Sequence, residues 1–297
     1  MHDDQVQLEA EQAAALILRQ FPQFAGEPIE RLATAGTVNA IFRIGEGHAA
    51  RFPLRLVDAG ECARLLQMEV AAMQELSCYC PVPTPQPLGI GAPGLGFPMP
   101  WLVQSWIEGE TTSPDAVSGS SVFALDLAGL VLALRRAEPR GRGFDGRGRG
   151  GRLADHNEWM QTCLTRSEGL LDVPPLRRLW AEFRNLRPPE QVVMSHRDLS
   201  PPNLLVEGER LVGVLDGGGF GPVDPALDLA SAWHLLDRER RTLFRKAVAA
   251  DAAEWRRAAG WAFEQALGLI WYYRHSNPTM STMGRTTLAR VLEDCSP

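Results

Sequence analysis

The sequence predicts an α+β chain in two lobes: residues 1–107 built on a small antiparallel sheet with one main helix, and residues 108–297 mainly helical. Three observations carry this. At 297 residues and 45 % hydrophobic content the chain can bury one large core or two modest ones. Short strand-like runs divided by glycine turns fill the first third. After Glu108-Gly109-Glu110 the composition shifts and helical periodicity takes over.

Taken in order, residues 5–20 place Val6, Ala10, Ala13, Ala14 and Ile17 at helical spacing and predict an amphipathic helix. Ile29 to Ala33, Ala40 to Ile44 and Ala49 to Phe52 read as strands, with turns at Gly36-Thr37 and Gly45-Glu46-Gly47. A helix follows from Glu61 to Leu76, with Leu65, Met68, Ala72 and Leu76 as its apolar face. Residues 81–100 hold seven prolines and four glycines and must be mostly irregular or extended. Leu102 to Ile107 is a short apolar segment. Helices are then expected over 122–137, 157–169, 175–185, 228–236 and, as one run, 240–273. The glycine and arginine run at 140–152 lacks periodicity and reads as a solvated loop between helices rather than a phosphate- or RNA-contacting arm.

A formal net charge of −6 argues against nucleic acid as a partner, because phosphate-backbone affinity needs clustered positive charge. The five cysteines are odd in number and show no paired C-x-x-C spacing, so they are expected as thiols in a reducing compartment without metal. The N-terminus has the wrong charge order for a secretory signal, and no apolar run reaches the ~18 residues a membrane span needs. The expectation is a soluble, cytoplasmic protein. Of the 30 basic side chains only Lys246 is lysine.

The segment that carries chemistry is 192–230. An apolar run, Val192-Val193-Met194, feeds His196-Arg197-Asp198; a strand from Asn203 to Val206 leaves that loop, and another from Leu211 to Leu215 ends on Asp216. Strand ends of this kind let Asp198, Asn203 and Asp216 converge. Phosphoryl transfer needs such convergence: one carboxylate to orient and deprotonate a hydroxyl, and hard oxygen ligands to hold magnesium on a triphosphate. The alternative is that these are surface turn residues, since Asp and Asn are common there.

H-R-D-x-x-x-x-N followed by a strand and L-D resembles the catalytic loop and metal segment of protein kinases. The wording H-x-D-L-S-P-x-N-L-L-V, with the tail D-P-A-x-D-L-A, is more similar to the aminoglycoside phosphotransferase and choline kinase-like family. Asp216-Gly217-Gly218 in place of D-F-G, and the lack of A-P-E, favour a small-molecule kinase over a protein kinase. The resemblance implies a bilobal protein-kinase-like fold, Asp198 as catalytic base, Asn203 and Asp216 as Mg2+ ligands, and His196 and Asp228 as supports of the catalytic loop.

It also implies a phosphate-binding residue on the third strand paired with a glutamate on the next helix. Arg51 stands where that family carries lysine, with Glu69 as partner; a solvated strand-end arginine is the alternative. Glu61 competes for the pairing, though its place at a helix start suits the helix dipole. Residues 34–40, with Gly36, Thr37 and Asn39, resemble the nucleotide loop, with a single glycine in place of G-x-G-x-x-G; a plain hairpin is the alternative. Gln104-Ser105-Trp106-Ile107 resembles the hinge that meets the base, through the carbonyl of Ser105 and the amide of Ile107, with Trp106 as readily core.

The function expected is a small-molecule O-phosphotransferase moving the γ-phosphoryl group of ATP or GTP to a hydroxyl, with an antibiotic (aminoglycoside, nucleoside or macrolide) as the leading acceptor. A non-catalytic nucleotide-binding pseudokinase, or a metabolic kinase of choline, sugar or homoserine type, is the alternative. The mixture of Asp251, Glu254 and Glu264 with Arg245, Lys246, Arg256 and Arg257 supplies no cluster of carboxylates for a polycation.

Overall fold

The structure, a computed structural model, describes residues 6–32 and 39–295. The chain divides into two compact units: the described residues up to Cys78 with Pro83–Glu108, and Tyr79–Val82 with the described residues from Gly109 onward.

The first unit contains α1 (Ala10–Gln20), β1 (Ile29–Arg31), β2 (Asn39–Ile44), β3 (His48–Pro53), α2 (Ala59–Ser77), β4 (Pro87–Gly91) and β5 (Trp101–Ser105). The strands form one antiparallel sheet in the order β1-β2-β3-β5-β4. Period-two patterning sends Ala40, Phe42 and Ile44 of β2 inward, while Asn39 and Arg43 stay half-buried. The core centres on aromatic rings. Phe52 stacks on Trp101 with centroids 4.5 Å apart and meets Phe42 and Phe97 edge-on. Gly91 faces the Trp101 ring so closely that a Cβ there would lie 2.1 Å from it, so only glycine fits.

Asp58 caps α2 by accepting a hydrogen bond from the Glu61 amide at 3.0 Å. The helix falls where periodicity places it, but the buried face differs. Leu65 and Met68 are exposed, and Cys62, Leu66, Met73 and Leu76 point inward. Positions 62, 66, 69, 73 and 76 form one stripe at helical spacing, and its middle member is Glu69. A charged residue in the inward stripe moved the apparent apolar face round the helix.

The second unit contains β6 (Glu110–Thr111), α3 (Ser121–Leu134), α4 (Asn157–Arg166), α5 (Val173–Phe183), β7 (Val193–Ser195), β8 (Leu204–Glu207), β9 (Arg210–Val214) and β10 (Gly221–Val223). It ends with α6 (Ala226–Leu229), α7 (Ser231–Leu235), α8 (Arg238–Ala247), α9 (Ala252–Tyr272) and α10 (Pro278–Cys295). Two small antiparallel sheets, β6-β8-β9 and β7-β10, carry the segment rich in candidate residues.

The run expected as one helix over 240–273 is two. Ala249 takes a left-handed φ of 54°, and Asp251 restarts the chain by accepting from the Glu254 amide at 2.7 Å. That backbone bond holds the Asp251 carboxyl below its ordinary pKa. The sequence gives little sign of α10, whose buried Met283, Leu288 and Val291 alternate with Ser281, Gly284 and Thr287. These small residues let α10 lie close on α9: a Cβ at Gly284 would come within 2.8 Å of the Ala266 carbonyl oxygen.

Candidate active site

β7 delivers the chain to a sharp turn. Arg197 follows His196 with φ +74°, a left-handed conformation that costs a non-glycine residue energy. Three acceptors hold it there. The buried Asp228 of α6 takes the His196 amide at 3.0 Å on one oxygen and the Arg197 amide at 3.1 Å on the other. The Ser195 hydroxyl oxygen also accepts from the Arg197 amide, at 2.9 Å.

The same turn is tied to the next two strands. The His196 ring Nε2 donates to the Leu215 carbonyl at 2.8 Å, and the Leu215 amide donates to the Asn203 carbonyl at 2.8 Å. The Asn203 side-chain amide donates to the Asp198 carbonyl at 3.0 Å and to Asp198 Oδ2 at 3.1 Å. Asp216, next to Leu215, takes a left-handed φ of 59° as the chain leaves β9. Asp198, Asn203, His196, Asp228 and the backbone beside Asp216 thus belong to one hydrogen-bonded network. With its amide nitrogen turned to Asp198, Asn203 has its side-chain oxygen on the other side; that oxygen and the carboxylate of Asp216, which follows β9, are each hard ligands of the kind magnesium takes. Among the described residues, no three His, Cys, Asp or Glu side chains gather as a metal cage.

In the first unit, Arg51 of β3 donates to Glu69 of α2, with Gln104 Oε1 at 3.5 Å from the same nitrogen. Both charges are largely withdrawn from solvent, with side-chain exposures of 14 % and 22 %. Glu61 instead pairs with Arg64 on the exposed face. Asn39 opens β2 opposite Pro53, while Gly36 and Thr37 lie outside the described residues. Ser105 ends β5: its amide donates to the Gln86 carbonyl, and its hydroxyl oxygen accepts from the Gln86 amide at 2.9 Å. Ile107 and Trp106 are half-buried, and the Trp106 ring lies 4.8 Å from the Arg43 guanidinium rather than in the core.

Residues 140–152 form a largely exposed loop, as their composition predicts, but sequence reasoning missed that part of this loop packs on the turn at 196–198. Asp145 accepts from the Arg197 guanidinium at 3.2 Å, and the Phe144 ring lies 5.8 Å from it. The Gly150 carbonyl accepts from the Asp224 amide at 2.7 Å. Arg149 comes within 3.5 Å of Asp198 Oδ1. The sequence signal was there in Gly146, Gly148 and Gly150, all of which take positive φ to bend the chain against the turn.

The late aromatic residues are partly core. Trp261 is fully buried and donates to Asp224 at 3.2 Å, and Asp224 also pairs with Arg257. Glu264, buried on α9, lies 3.1 Å from His156 Nδ1. Burial pushes the nearby Cys163 thiol up to about 12, so it is inert as a nucleophile. A cavity of about 340 Å³ lies among α7 to α10, lined by Trp233, Arg241, Arg245 and Trp255 and by none of the residues of the turn at 196–198. No helix among the described residues is long and apolar enough to cross a membrane.

Known structures share this architecture. The GDP complex of wild-type aminoglycoside 2'-phosphotransferase-IIIa aligns at TM-score 0.72 and 17 % identity, over 97 % of this chain and 99 % of that one. ADP-bound aminoglycoside phosphotransferase APH(2'')-Ib aligns at 0.62 and 16 %, over 96 % and 99 %. The macrolide 2'-phosphotransferase MphH from Brachybacterium faecium aligns at 0.60 and 18 %, over 94 % and 97 %. A sequence search of curated proteins finds no match. The fold is thus the α+β, protein-kinase-like fold of these phosphotransferases. Residues 29–261 match the family described as "Phosphotransferase enzyme family", and the chain belongs to that family.

Proposed function

We propose that the protein transfers the γ-phosphoryl group of ATP or GTP to a hydroxyl of a small molecule, with Asp198 as base. The observation that carries this reading is the network joining Asp198 to Asn203, and through Leu215 and His196 to Asp228. It fixes the carboxylate while leaving the Asp198 side chain 40 % exposed, open to an acceptor. Asp198 takes the proton of the acceptor hydroxyl as its oxygen attacks the γ-phosphorus. The bond from that phosphorus to the β,γ-bridging oxygen breaks, and the nucleoside diphosphate leaves.

Asn203 and Asp216 would hold Mg2+. When bound, the ion neutralises charge on the triphosphate oxygens. Arg51, oriented by Glu69, would bind phosphate oxygens through its forked donors. The aminoglycoside phosphotransferases bound to GDP or ADP support a nucleotide donor, and together with the macrolide phosphotransferase they support an antibiotic-like acceptor. Asp198→Asn keeps the shape of the site and removes the base. With ATP or GTP and magnesium over a panel of aminoglycosides, macrolides, nucleosides and hydroxylated metabolites, hydroxy acids included, wild type should give a product heavier by one phosphate group, and Asp198→Asn should lose at least ~100-fold in rate. A variant that turns over like wild type would refute the assignment of the base. Magnesium-dependent nucleotide binding with no transfer by wild type would favour a pseudokinase.

A further inference from the structure

Within that phosphotransferase reading, we infer that Arg149 is an acceptor-binding residue that selects substrates carrying an anionic oxygen beside the reacting hydroxyl. The guanidinium lies 3.5 Å from Asp198 Oδ1, and the two side chains are 32 % and 40 % exposed, so a ligand that reaches the base also reaches the arginine.

The arginine is held there by its own loop. Gly148 and Gly150 take φ of +61° and +112° on either side of it. Gly150 is wedged against β10 so tightly that a Cβ would fall 2.5 Å from Val223, and its carbonyl accepts from the Asp224 amide. On the other flank Asp145 accepts from the Arg147 amide at 3.1 Å and pairs with Arg197 of the catalytic turn. Gly221 beneath Arg197 leaves room for that guanidinium, since a Cβ there would come 2.7 Å from its Nη2. These anchors on both flanks present Arg149 to Asp198 from a fixed base.

The chemistry follows from charge. Among the described residues Arg149 pairs with one carboxylate oxygen, at 3.5 Å, and keeps forked donors for a second anion. A carboxylate or phosphate oxygen on the acceptor would complete a charge-assisted pair while its neighbouring hydroxyl faces Asp198. A polyamine acceptor would instead place ammonium groups against a guanidinium, and like-charge contact is how a site rejects the wrong ligand. The other acidic group of this loop, Asp145, is already engaged by Arg197 and cannot offset that repulsion.

The test measures binding by calorimetry to the full chain, wild type, Arg149→Glu and the exposed-loop control Arg147→Ala. The probes are gluconate and glycerate as anions, uridine and thymidine as neutral compounds, and kanamycin and streptomycin as polycations. Hydrolysis of ATP and GTP is followed in the same proteins and in Asp198→Asn. Wild type and Arg147→Ala should prefer an anionic probe. Arg149→Glu should weaken that probe about 10–100-fold, the scale of one charge-assisted bond, and favour the polycations. A polycation as the tightest wild-type ligand, no binding by either anion, or an order of affinities unchanged in Arg149→Glu overturns the inference. Failure of the phosphotransferase reading shows separately, as nucleotide turnover that is absent in wild type or the same in Asp198→Asn.

Discussion

Replacing Asp228 with alanine should uncouple the catalytic turn from its support, and the size of the effect follows from three distances. Asp228 accepts from the amides of His196 at 3.0 Å and Arg197 at 3.1 Å, and the residue is 4 % exposed. Leaving a buried donor unsatisfied costs about 1–3 kcal/mol. In the variant the Arg197 amide keeps the Ser195 hydroxyl oxygen at 2.9 Å, whereas the His196 amide loses the only acceptor recorded for it among the described residues. With one donor left unsatisfied, the loss should be about 1–3 kcal/mol. Asp228→Asn keeps one acceptor oxygen but turns an NH2 toward the second amide, so it should cost roughly half as much. Urea unfolding followed by tryptophan fluorescence gives the stability. Because Asp198 follows directly on this turn, phosphoryl transfer should also fall about 100-fold, the cost of misplacing a reacting group by an ångström. An Asp228→Ala protein within about 0.5 kcal/mol of wild type and with unchanged turnover would show that the turn does not depend on this carboxylate.

Two further predictions concern acid stability and the glycine-rich loop. Burial pushes His234 down to about 4 from an ordinary 6.5; its ring bonds Thr287 and Gln265, Asp198 works against the shift, and Arg149 and Arg290 add to it. Between those values the unfolded chain binds a proton that the native state refuses, so the contribution is full above pH 6.5 and is lost as pH falls toward 4, about 3 kcal/mol in all. His234→Gln should flatten that part of the stability curve, and curves of wild type and variant that stay parallel from pH 7 to 4.5 would refute it. Gly150→Ala should cost about 2–4 kcal/mol, combining a positive φ with a Cβ 2.5 Å from Val223, whereas Gly141→Ala, with a positive φ but nothing within 4 Å, should cost about 1 kcal/mol. Equal losses in urea unfolding would mean that residues 140–152 do not press on β10.

What could be read from the sequence depended on whether the signal was local. His196-Arg197-Asp198, Asn203 and Asp216 lie within 21 residues joined by short strands, so order along the chain already implied the bonds that join Asp198, Asn203, His196 and Leu215. Arg51 and Glu69 could be paired because a strand and the next helix bracket them. The missed features each depend on a contact distant in sequence. Arg149 reaches Asp198 across 49 residues and Asp145 reaches Arg197 across 52, through a segment whose composition alone suggests solvent. The inward face of α2 was misplaced because Glu69 interrupts its apolar stripe. The break between α8 and α9 was masked because Ala249 and Asp251 sit inside a run of good helix formers, although Asp251-Ala252-Ala253-Glu254 carries the pattern of a helix start that the capping bond from the Glu254 amide confirms.

The site's geometry and its strain have a common origin. Arg197 and Asp216 both take left-handed conformations without being glycine, one immediately before the proposed base and the other as a proposed metal ligand. Such residues persist where surrounding contacts over-determine them, at a cost of about 1–3 kcal/mol each. Here Asp228 and Ser195 fix the first, and the Leu215 bonds to His196 and Asn203 fix the backbone leading to the second. Glycine at position 197 would relieve the backbone but remove the guanidinium that binds Asp145, and with it one anchor of the loop carrying Arg149. The arginine is thus kept in a conformation suited to glycine because its side chain joins the catalytic turn to the loop proposed to choose the acceptor.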